Sequence, residues 1–458
     1  MSPTRRELIA GAAVGALGLA GVYELVDHLA ASPPKRPVAA GPELPEQHLL
    51  QGIKVVNQND VEVLVPPLHH EVMTAKLDLA PSDLADAQGT LEDVLAKLDA
   101  DYPATPAGLG VTVAWGLPYF HRLVPGQAAR SLPYDRRAGK AALLDAHRFQ
   151  SDPDTTVLEA NDLAILLRSD QRAHIDDGID RLRASGLLKV TSLRRGFAGG
   201  SLEGGVSLPR TMARAANVPG ADLIPEGSEL FMGFTSTQKA AFGPGKIANF
   251  ETLGYVDLRD SGYFREGTHM HLSHVAEDLE AWYVNFAFDE RVTTAFRPGL
   301  DVPEGTQVVP MGPEQASDTH QVRRQFHQTG RIGHSASIQT TSRLQQAATG
   351  PDGTHYPKGT AIPIRADFNT LDNPFFFSSE ARVIQAGPMA GIHFIVFNPS
   401  SDDFDRNRLA MDGILPSGNL HIQPNDRAQG FNSVLSTTHR QNYLVPPRRH
   451  RSFPLAER

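Results

Sequence analysis

Two side chains in the second half of this sequence, a histidine and an arginine, have types and spacing that suit chemistry at an iron cofactor. His334 follows a glycine in the polar stretch TGRIGHSASIQTTSRL, and Arg365 follows a short apolar run in GTAIPIRADFN. A neutral imidazole nitrogen is a common axial ligand of heme iron, and a guanidinium that keeps its proton stabilises an anion on the opposite face. The pair predicts a heme site with His334 in a loop as the iron ligand and Arg365 where peroxide binds. Taken singly, each residue is more typical of a solvated side chain or a surface ion pair.

Three further histidines, His269, His271 and His274, form an alternative metal site within GTHMHLSHVAEDLEAWYV. On a strand, His269 and His271 face the same side, where they could bind copper or zinc with a third ligand from elsewhere, whereas His274 faces the other side. The ordinary interpretation is that these side chains line a pocket or pack in a wall of the fold. A copper or zinc protein therefore stays open as an alternative.

Strands and helices that must position these residues alternate in two sets. The first half has a helix from Ser82 to Leu98, strands at residues 108–120 and 161–170, a helix from Gln171 to Ala184 and a strand at residues 187–197. In the second half, residues 267–284 begin as a strand and continue as a helix, and residues 391–411 repeat that order. Because strand, helix and strand at this spacing are part of a ferredoxin-like unit, the sequence predicts an α+β fold.

Several segments resemble the dye-decolorising peroxidase (DyP-type) heme peroxidase superfamily. IRADFN (residues 364–369) is similar to the arginine segment of that family, and AGIHFIVFNPSSDDFDRNRLAM (390–411) is similar to the strand and helix that follow it. ELFMGF (229–234) falls where the family carries its GFxDG loop, and GLGVTVAWGLPYF (108–120) resembles its first strand.

This resemblance implies both a fold and a function. A single domain over residues 49–458 would consist of two ferredoxin-like halves, about residues 49–225 and 226–458, packed as a dimeric α/β-barrel that binds heme b. The implied activity is the oxidation of a small organic reductant by hydrogen peroxide, with His334 as the proximal metal ligand and Arg365 as the distal residue. The residues expected to bind the cofactor are His334, Arg365, Phe234, His271 and Phe394.

The distal side departs from the family pattern at one position. Heterolysis of a bound hydroperoxide needs a base that moves a proton between the two oxygens, and a cation for the charge that builds up. The resemblance gives the first task to an aspartate of the GFxDG loop, but Ser236 occupies that place here. A serine can order a water but cannot act as the base, whereas Asp367, on the same side of a strand as Arg365, can take over part of the task. His393 is a further candidate for the pocket. A heme-binding or heme-delivery protein without turnover therefore stays open as well.

The proximal side has candidates for a supporting carboxylate. An axial histidine usually donates its second ring N–H to a carboxylate or a carbonyl. Asp402, Asp403 and Asp405 open the last helix of the pattern and could provide that carboxylate. Capping of the helix and interaction with its dipole are the alternative roles of these aspartates.

Composition excludes several classes of protein. The 458 residues carry a formal net charge of −9 without a basic stripe, which argues against a nucleic-acid partner. Cysteine is absent from the sequence, so disulfides, thiolate catalysis, zinc–thiolate sites and iron–sulfur clusters are excluded. The sequence also has neither a phosphate-binding P-loop pattern nor a GxSxG elbow.

Residues 1–31 have the pattern of an export signal. The twin-arginine motif TRRELI (residues 4–9) precedes an apolar run that ends near Tyr23 and is short for a bilayer span. A proline-rich linker, residues 32–48, follows. The expected partner is the twin-arginine export machinery, which carries folded proteins, and the expected location is the periplasm, the cell surface or the extracellular space. An uncleaved anchor stays open as an alternative, and so does assembly into a homo-oligomer.

Overall fold

A computed structural model describes residues 23, 25–27, 29, 43–202, 206–235, 262–309, 318–349, 353–373 and 387–457. The strands are β1 (Lys54–Gln58), β2 (Val61–Val65), β3 (His69–Leu77), β4 (Gly110–Gly116), β5 (Tyr134–Asp135), β6 (Lys140–Ala141), β7 (Val157–Leu158), β8 (Leu163–Ser169), β9 (Leu188–Phe197), β10 (Thr268–Glu277), β11 (Ala348–Thr349), β12 (His355–Tyr356), β13 (Ile364–Arg365), β14 (Phe368–Thr370), β15 (Gly391–Asn398), β16 (Ile414–Leu415), β17 (Gly418–Asn419) and β18 (Leu435–Val445). The helices are α1 (Leu84–Asp101), α2 (Leu117–Leu123), α3 (Pro125–Ser131), α4 (Arg172–Ala184), α5 (Leu208–Ala215), α6 (Leu279–Asn285), α7 (Phe288–Ala295), α8 (Thr319–Thr329), α9 (His334–Ser342) and α10 (Ser401–Met411). None of these described helices is both long enough and apolar enough to cross a lipid bilayer.

The first half is a ferredoxin-like unit. Its elements β3, α1, β4, β8, α4 and β9 follow one another along the chain, and the strands lie in the order β9-β3-β8-β4, all antiparallel. Strand β8 is buried on both faces, because Leu163, Ile165 and Leu167 pack under the helices while Ala164 and Leu166 point to the other side of the sheet. The helical spacing of the sequence is correct for α1 and α4. The sequence pattern missed β3, although it is a barrel strand.

The second half repeats this arrangement. Its elements β10, α6, β14, β15, α10 and β18 follow in the same order, and the strands lie in the order β14-β15-β10-β18. Strand β13 also pairs with β15, where Arg365 lies opposite Val396. Because β14 pairs with β9 and β18 pairs with β4, the two halves close into a barrel. The expectation of an α+β fold built from two ferredoxin-like halves is confirmed.

The barrel interior is filled unequally by the two halves. Among the described apolar residues of this interior, the aromatic side chains come from the second half. They are Phe368, Phe397 and Tyr443, whereas the first half contributes Val72, Ala114, Ala164 and Leu166. Since side chains alternate between the faces of a strand, the neighbours of these interior residues point outward, toward the covering helices. The outward positions of the second half face α9, α10 and the 3₁₀ segment Arg427–Ser433.

A few described residues of the expected export signal lie against the barrel. The Tyr23 hydroxyl donates a hydrogen bond of 2.9 Å to Asp372 Oδ1, and Asp27 Oδ1 lies 2.6 Å from His69 Nε2. Val26 is fully buried. Most of residues 1–31 lie outside the described ranges, so the signal peptide and its boundary stay predictions.

Candidate functional site

A cavity lies between the outer face of the second half and helices α9 and α10. The volume of the cavity is about 280 Å³. Alternate residues of two neighbouring strands form the wall on the side of the sheet. The sheet residues are Ser273, Val275 and Glu277 of β10 and Ile392, Phe394 and Val396 of β15. Helices α9 and α10 supply the opposite wall, which includes His334, Ile338, Phe404 and Arg408. Strands and helices therefore form two facing walls of the cavity.

His334 is the first residue of α9, where the sequence pattern predicted a loop. The preceding residue, Gly333, has no room for a side chain, because a Cβ atom there would lie 2.2 Å from the carbonyl oxygen of Phe296. The His334 ring lines the cavity and lies 4.7 Å from the Phe431 ring, measured between centroids. Burial, and then the positive charges of Arg365 and Arg408, lower the pKa of His334 to about 3. The imidazole is therefore neutral across the physiological range, which is the form that binds a metal.

Arg365 reaches the same cavity from the sheet side. Strand β13 holds its backbone against β15, and its side chain is 28% exposed. Asp367 also lines the cavity, and its Oδ1 atom lies 3.9 Å from Arg365 Nε. The structure thus brings His334, Arg365 and Asp367 together, as the sequence predicted.

Other arginines of the cavity wall differ in their partners. Arg440 lies 2.7 Å from Asp152, and Arg408 lies 2.7 Å from Asp412. Within the described part of the chain, Arg343 forms no ion pair, and its Nη1 atom donates only a weak hydrogen bond of 3.4 Å to the Gly359 carbonyl. Burial and the charge of Arg365 lower the pKa of Arg343 to about 10. Among the described residues, Arg343 is thus a cation of the cavity without an anionic partner, and no sequence motif pointed to it.

Glu277 is a second cavity residue that the sequence pattern did not single out. It ends β10, and burial, followed by the negative charge of Asp367, raises its pKa to about 8. In the sequence it precedes Asp278, and an acidic pair before a helix is typical of capping. Asp278 does cap α6, since its side chain accepts a hydrogen bond from the Ala281 amide, whereas Glu277 points to the cavity.

The expected cofactor contacts are found only in part. Phe234 and Phe394 line the cavity with His334 and Arg365. His271 does not line it, because its ring stacks on Phe404 at 3.4 Å between centroids and its Nδ1 atom lies 2.7 Å from Asn442 Oδ1. Ser236 lies outside the described residues.

The histidines of β10 do not form a metal site in the described structure. His271 packs against α10, whereas His274 lies in the barrel interior, with its ring centroid 5.0 Å from that of His393. Across the ranges that the structure describes, no three histidine, aspartate or glutamate side chains are placed to hold a metal ion. The copper or zinc alternative therefore has no support from the geometry.

His393 also belongs to the barrel interior and does not line the cavity. Its Nε2 atom lies 3.1 Å from Asp372 Oδ2, and burial is the main cause that raises the pKa of Asp372 to about 6. Side chains alternate between the two faces of a strand, and the neighbours of His393 on β15, Ile392 and Phe394, point outward to the cavity. His393 therefore points into the barrel.

The aspartates at the start of α10 do not support His334. Asp403 accepts a hydrogen bond from the Ser400 amide, which caps the helix, and lies 2.9 Å from Arg137. Asp402 lies 2.7 Å from Lys140, and Asp405 lies 4.0 Å from His147. These residues stabilise the helix and its ion pairs, as in the alternative roles considered above.

A family sequence profile described as "Family of unknown function (DUF7405)" matches residues 67–447. The match spans the whole barrel, from just before β3 to the end of β18. No curated protein sequence matches this chain.

Solved structures of DyP-type peroxidases are similar to this chain at low identity. The encapsulated DyP-type peroxidase of Mycobacterium smegmatis shares 13% identity over 85% of this chain and 95% of its own, with a TM-score of 0.49. A heme complex of a Rhodococcus jostii RHA1 DypB variant shares 12% identity over 84% of this chain and 95% of its own, with a TM-score of 0.48. The DyP-type peroxidase of Cellulomonas bogoriensis shares 15% identity over 88% of this chain and 96% of its own, with a TM-score of 0.48. At this level, the likeness supports no statement about the chemistry of this chain.

Proposed function

The chain belongs to the DUF7405 family of unknown function, and we propose that it is a heme-dependent, peroxidase-like oxidoreductase that uses hydrogen peroxide to oxidise a small organic reductant. The observation that carries this proposal is that His334 and Arg365 line one cavity from different elements, with the imidazole held neutral. Heme b is the proposed cofactor. Export by the twin-arginine machinery belongs to the same proposal and rests on residues 4–9 alone.

The groups around the cavity fit heme b. His334 offers a neutral nitrogen, the form of imidazole that binds iron. Phe234 and Phe394 provide apolar surface for the macrocycle, and Arg343, a cation without a described ion pair, suits one of its carboxylates. Bound heme would supply the iron that holds peroxide and the electrons that reduce it.

The residues of this chain then divide the remaining work. His334 holds the cofactor from the side of α9. The Arg365 guanidinium stabilises the negative charge that grows on peroxide oxygen. Asp367, 3.9 Å from Arg365, is placed to accept a proton from the same molecule.

The test is an absorption spectrum of the heme-loaded protein before and after addition of hydrogen peroxide. We expect a Soret band that shifts on peroxide, and oxidation of a dye by the wild-type protein. Arg365→Leu should keep the band and slow the peroxide reaction by about 10²–10³-fold, as when one charge-stabilising donor is removed. The control is Arg214→Leu, an exposed arginine of α5, which should react like the wild type.

Two results would contradict the proposal. A Soret band that peroxide only bleaches, without turnover, would indicate a heme-binding or heme-delivery protein. The absence of a Soret band after supplementation with heme would show that the protein does not bind the proposed cofactor.

A further inference from the structure

Glu277 brings a third carboxyl group into the cavity, in addition to those of Asp152, which is paired with Arg440, and Asp367. Ser273, Val275 and Glu277 alternate along β10, and all three line the cavity because side chains on one face of a strand recur at every second residue. The backbone at Glu277 is fixed on both sides. Its N–H donates to the Ala390 carbonyl at 2.9 Å, and β18 pairs with it at Leu435. The position of this carboxyl is therefore set by the sheet.

One oxygen of the Glu277 carboxyl takes no part in the hydrogen bonds that the described residues form with one another. Its Oε2 atom is buried and has no hydrogen-bond partner among the described residues. A buried carboxyl that serves stability is normally paired with a cation or with backbone N–H groups, since an unpaired one costs free energy. Asp403 shows this ordinary arrangement in the same half, with Arg137 and the Ser400 amide as partners. An unpaired carboxyl in a cavity points instead to a ligand.

Burial is the main reason why the protonated form of Glu277 is favoured near neutral pH. Burial, and then the negative charge of Asp367, raise its pKa to about 8. Tyr283 faces it from α6, and the pKa of Tyr283 is itself raised above its usual range by burial and by Glu277, against the effect of Arg291. The other titratable groups that line this cavity are Asp152, His334, Arg343, Arg365, Arg408 and Arg440.

We propose that Glu277 is the proton donor of this site and Asp367 is its proton acceptor, an assignment that rests on the proposed function. Two carboxyl groups in one site serve as acid and base when their surroundings keep one protonated and the other ionised. Glu277 has its unpaired Oε2 atom to offer, and Asp367 lies beside the Arg365 guanidinium.

The proton transfers balance for a bound molecule of hydrogen peroxide. The inner oxygen gives its proton to the Asp367 carboxylate. The Glu277 carboxyl gives its proton to the outer oxygen, the O–O bond breaks, and its electron pair leaves with the outer oxygen as water. The proposed cofactor would supply the two electrons that the inner oxygen then lacks. The organic reductant would return them together with two protons, so that this oxygen leaves as a second water. Transfer of a proton from Asp367 to Glu277 restores the starting state.

The first test measures protonation without heme. In cofactor-free protein labelled with ¹³C at the glutamate side-chain carboxyl, one resonance should titrate near pH 8. It should be absent from Glu277→Gln and present in Glu280→Gln, a control at an exposed position in the first turn of α6. If every glutamate titrates near its ordinary value, or if the resonance near pH 8 remains in Glu277→Gln, the assignment is wrong.

The second test measures the reaction of heme-loaded protein with peroxide in stopped flow. Glu277→Gln should bind heme with an unchanged Soret band and react about 10²–10⁴-fold more slowly, the usual contribution of a general acid. Glu277→Asp should recover part of the rate, and Glu280→Gln should match the wild type. The wild-type rate should fall as pH rises through about 8, because Glu277 loses its proton there, and Glu277→Gln should lack this decline.

The two proposals fail differently. A wild-type protein without a Soret band or without a reaction with peroxide overturns the proposed function, and the role of Glu277 with it. A wild-type protein that reacts with peroxide as fast as Glu277→Gln overturns the role of Glu277 alone.

Discussion

The two halves of the barrel share one strand order, but their outer faces are covered differently. In the first half, α1 and α4 bury aliphatic side chains such as Leu91, Leu95 and Ile175 against Ile165 and Leu167 of β8, and the interface is closed. In the second half, α10 buries Asp403, Phe404 and Arg408, and a cavity remains between helix and sheet. The topology is thus compatible with a closed core and with an open site.

This difference shows that the site arises from incomplete packing of one repeat. The outward residues of β3 include Met73, Ala75 and Leu77, which fill the space under the helices. The outward residues near the end of β10 are Ser273, Val275 and Glu277, and they leave room and add a carboxyl. Because protein interiors are normally close-packed, a cavity that buries an unbonded carboxyl oxygen of Glu277 is evidence for a ligand.

The largest effect should come from removing apolar volume in the closed half. Leu91→Ala should lower the free energy of unfolding by about 2–5 kcal/mol, because Leu91 is fully buried and the surrounding core can relax only partly. Ile392→Ala, in the cavity wall of the other half, should lower the free energy of unfolding by less, because the Ile392 side chain already borders open space. Urea unfolding of the cofactor-free protein measures both values. Equal costs would show that the second half is packed as tightly as the first.

A smaller effect should separate the paired from the unpaired arginines of the cavity. Arg343→Leu should leave the cofactor-free protein as stable as the wild type or more so, because it removes a cation without a described ion pair, and it should weaken heme binding by about 10–100-fold. Arg440→Leu should instead destabilise the protein, because it removes a partner of buried Asp152. Urea unfolding and heme titration of both variants measure the free energy of unfolding and the affinity for heme. If both variants lower the free energy of unfolding equally, the distinction between the paired and the unpaired arginine is wrong.

A third effect should be a pH dependence of stability that Glu277 causes. Below its ordinary pKa of 4.5, Glu277 is protonated in the folded and the unfolded chain, so it adds no pH dependence. Between 4.5 and about 8 the unfolded chain loses this proton while the folded chain keeps it, and stability falls as pH rises. Glu277→Gln should therefore gain stability over the wild type across this window, and Glu280→Gln should not. A constant difference from pH 4 to pH 9 would be inconsistent with the raised pKa.

The sequence predicted the elements better than the contacts between them. A short apolar run identified β8, and helical spacing identified α4, because these signals are local. The HHEVMTAKL stretch was missed as a strand because polar and apolar side chains are mixed on its two buried faces, so it shows neither alternation nor a continuous apolar run. His334 and Arg365, which chemistry and a family resemblance assigned to one site, line the same cavity, and their roles stay predictions.

The rest of the site depends on long-range register, which no short pattern contains. His271 was expected at the cofactor, but the packing of α10 places Phe404 on its ring. Asp402, Asp403 and Asp405 looked available in the sequence, yet Lys140, Arg137 and His147 come from a distant segment to pair with them. Glu277 was not singled out because it precedes Asp278, which caps the next helix. Only the pairing of the strands shows that Glu277 faces the cavity.

The most direct test of the central claim is a titration of hemin into the wild-type protein and into His334→Ala, followed by absorption spectroscopy. The control is His327→Ala, which removes an exposed histidine near the end of α8. We expect saturable binding of one hemin with the spectrum of a histidine-ligated heme for the wild type and for His327→Ala, and loss of that spectrum for His334→Ala. An unchanged spectrum in His334→Ala would contradict the assignment of His334 as the ligand, and the account of the cavity that depends on it.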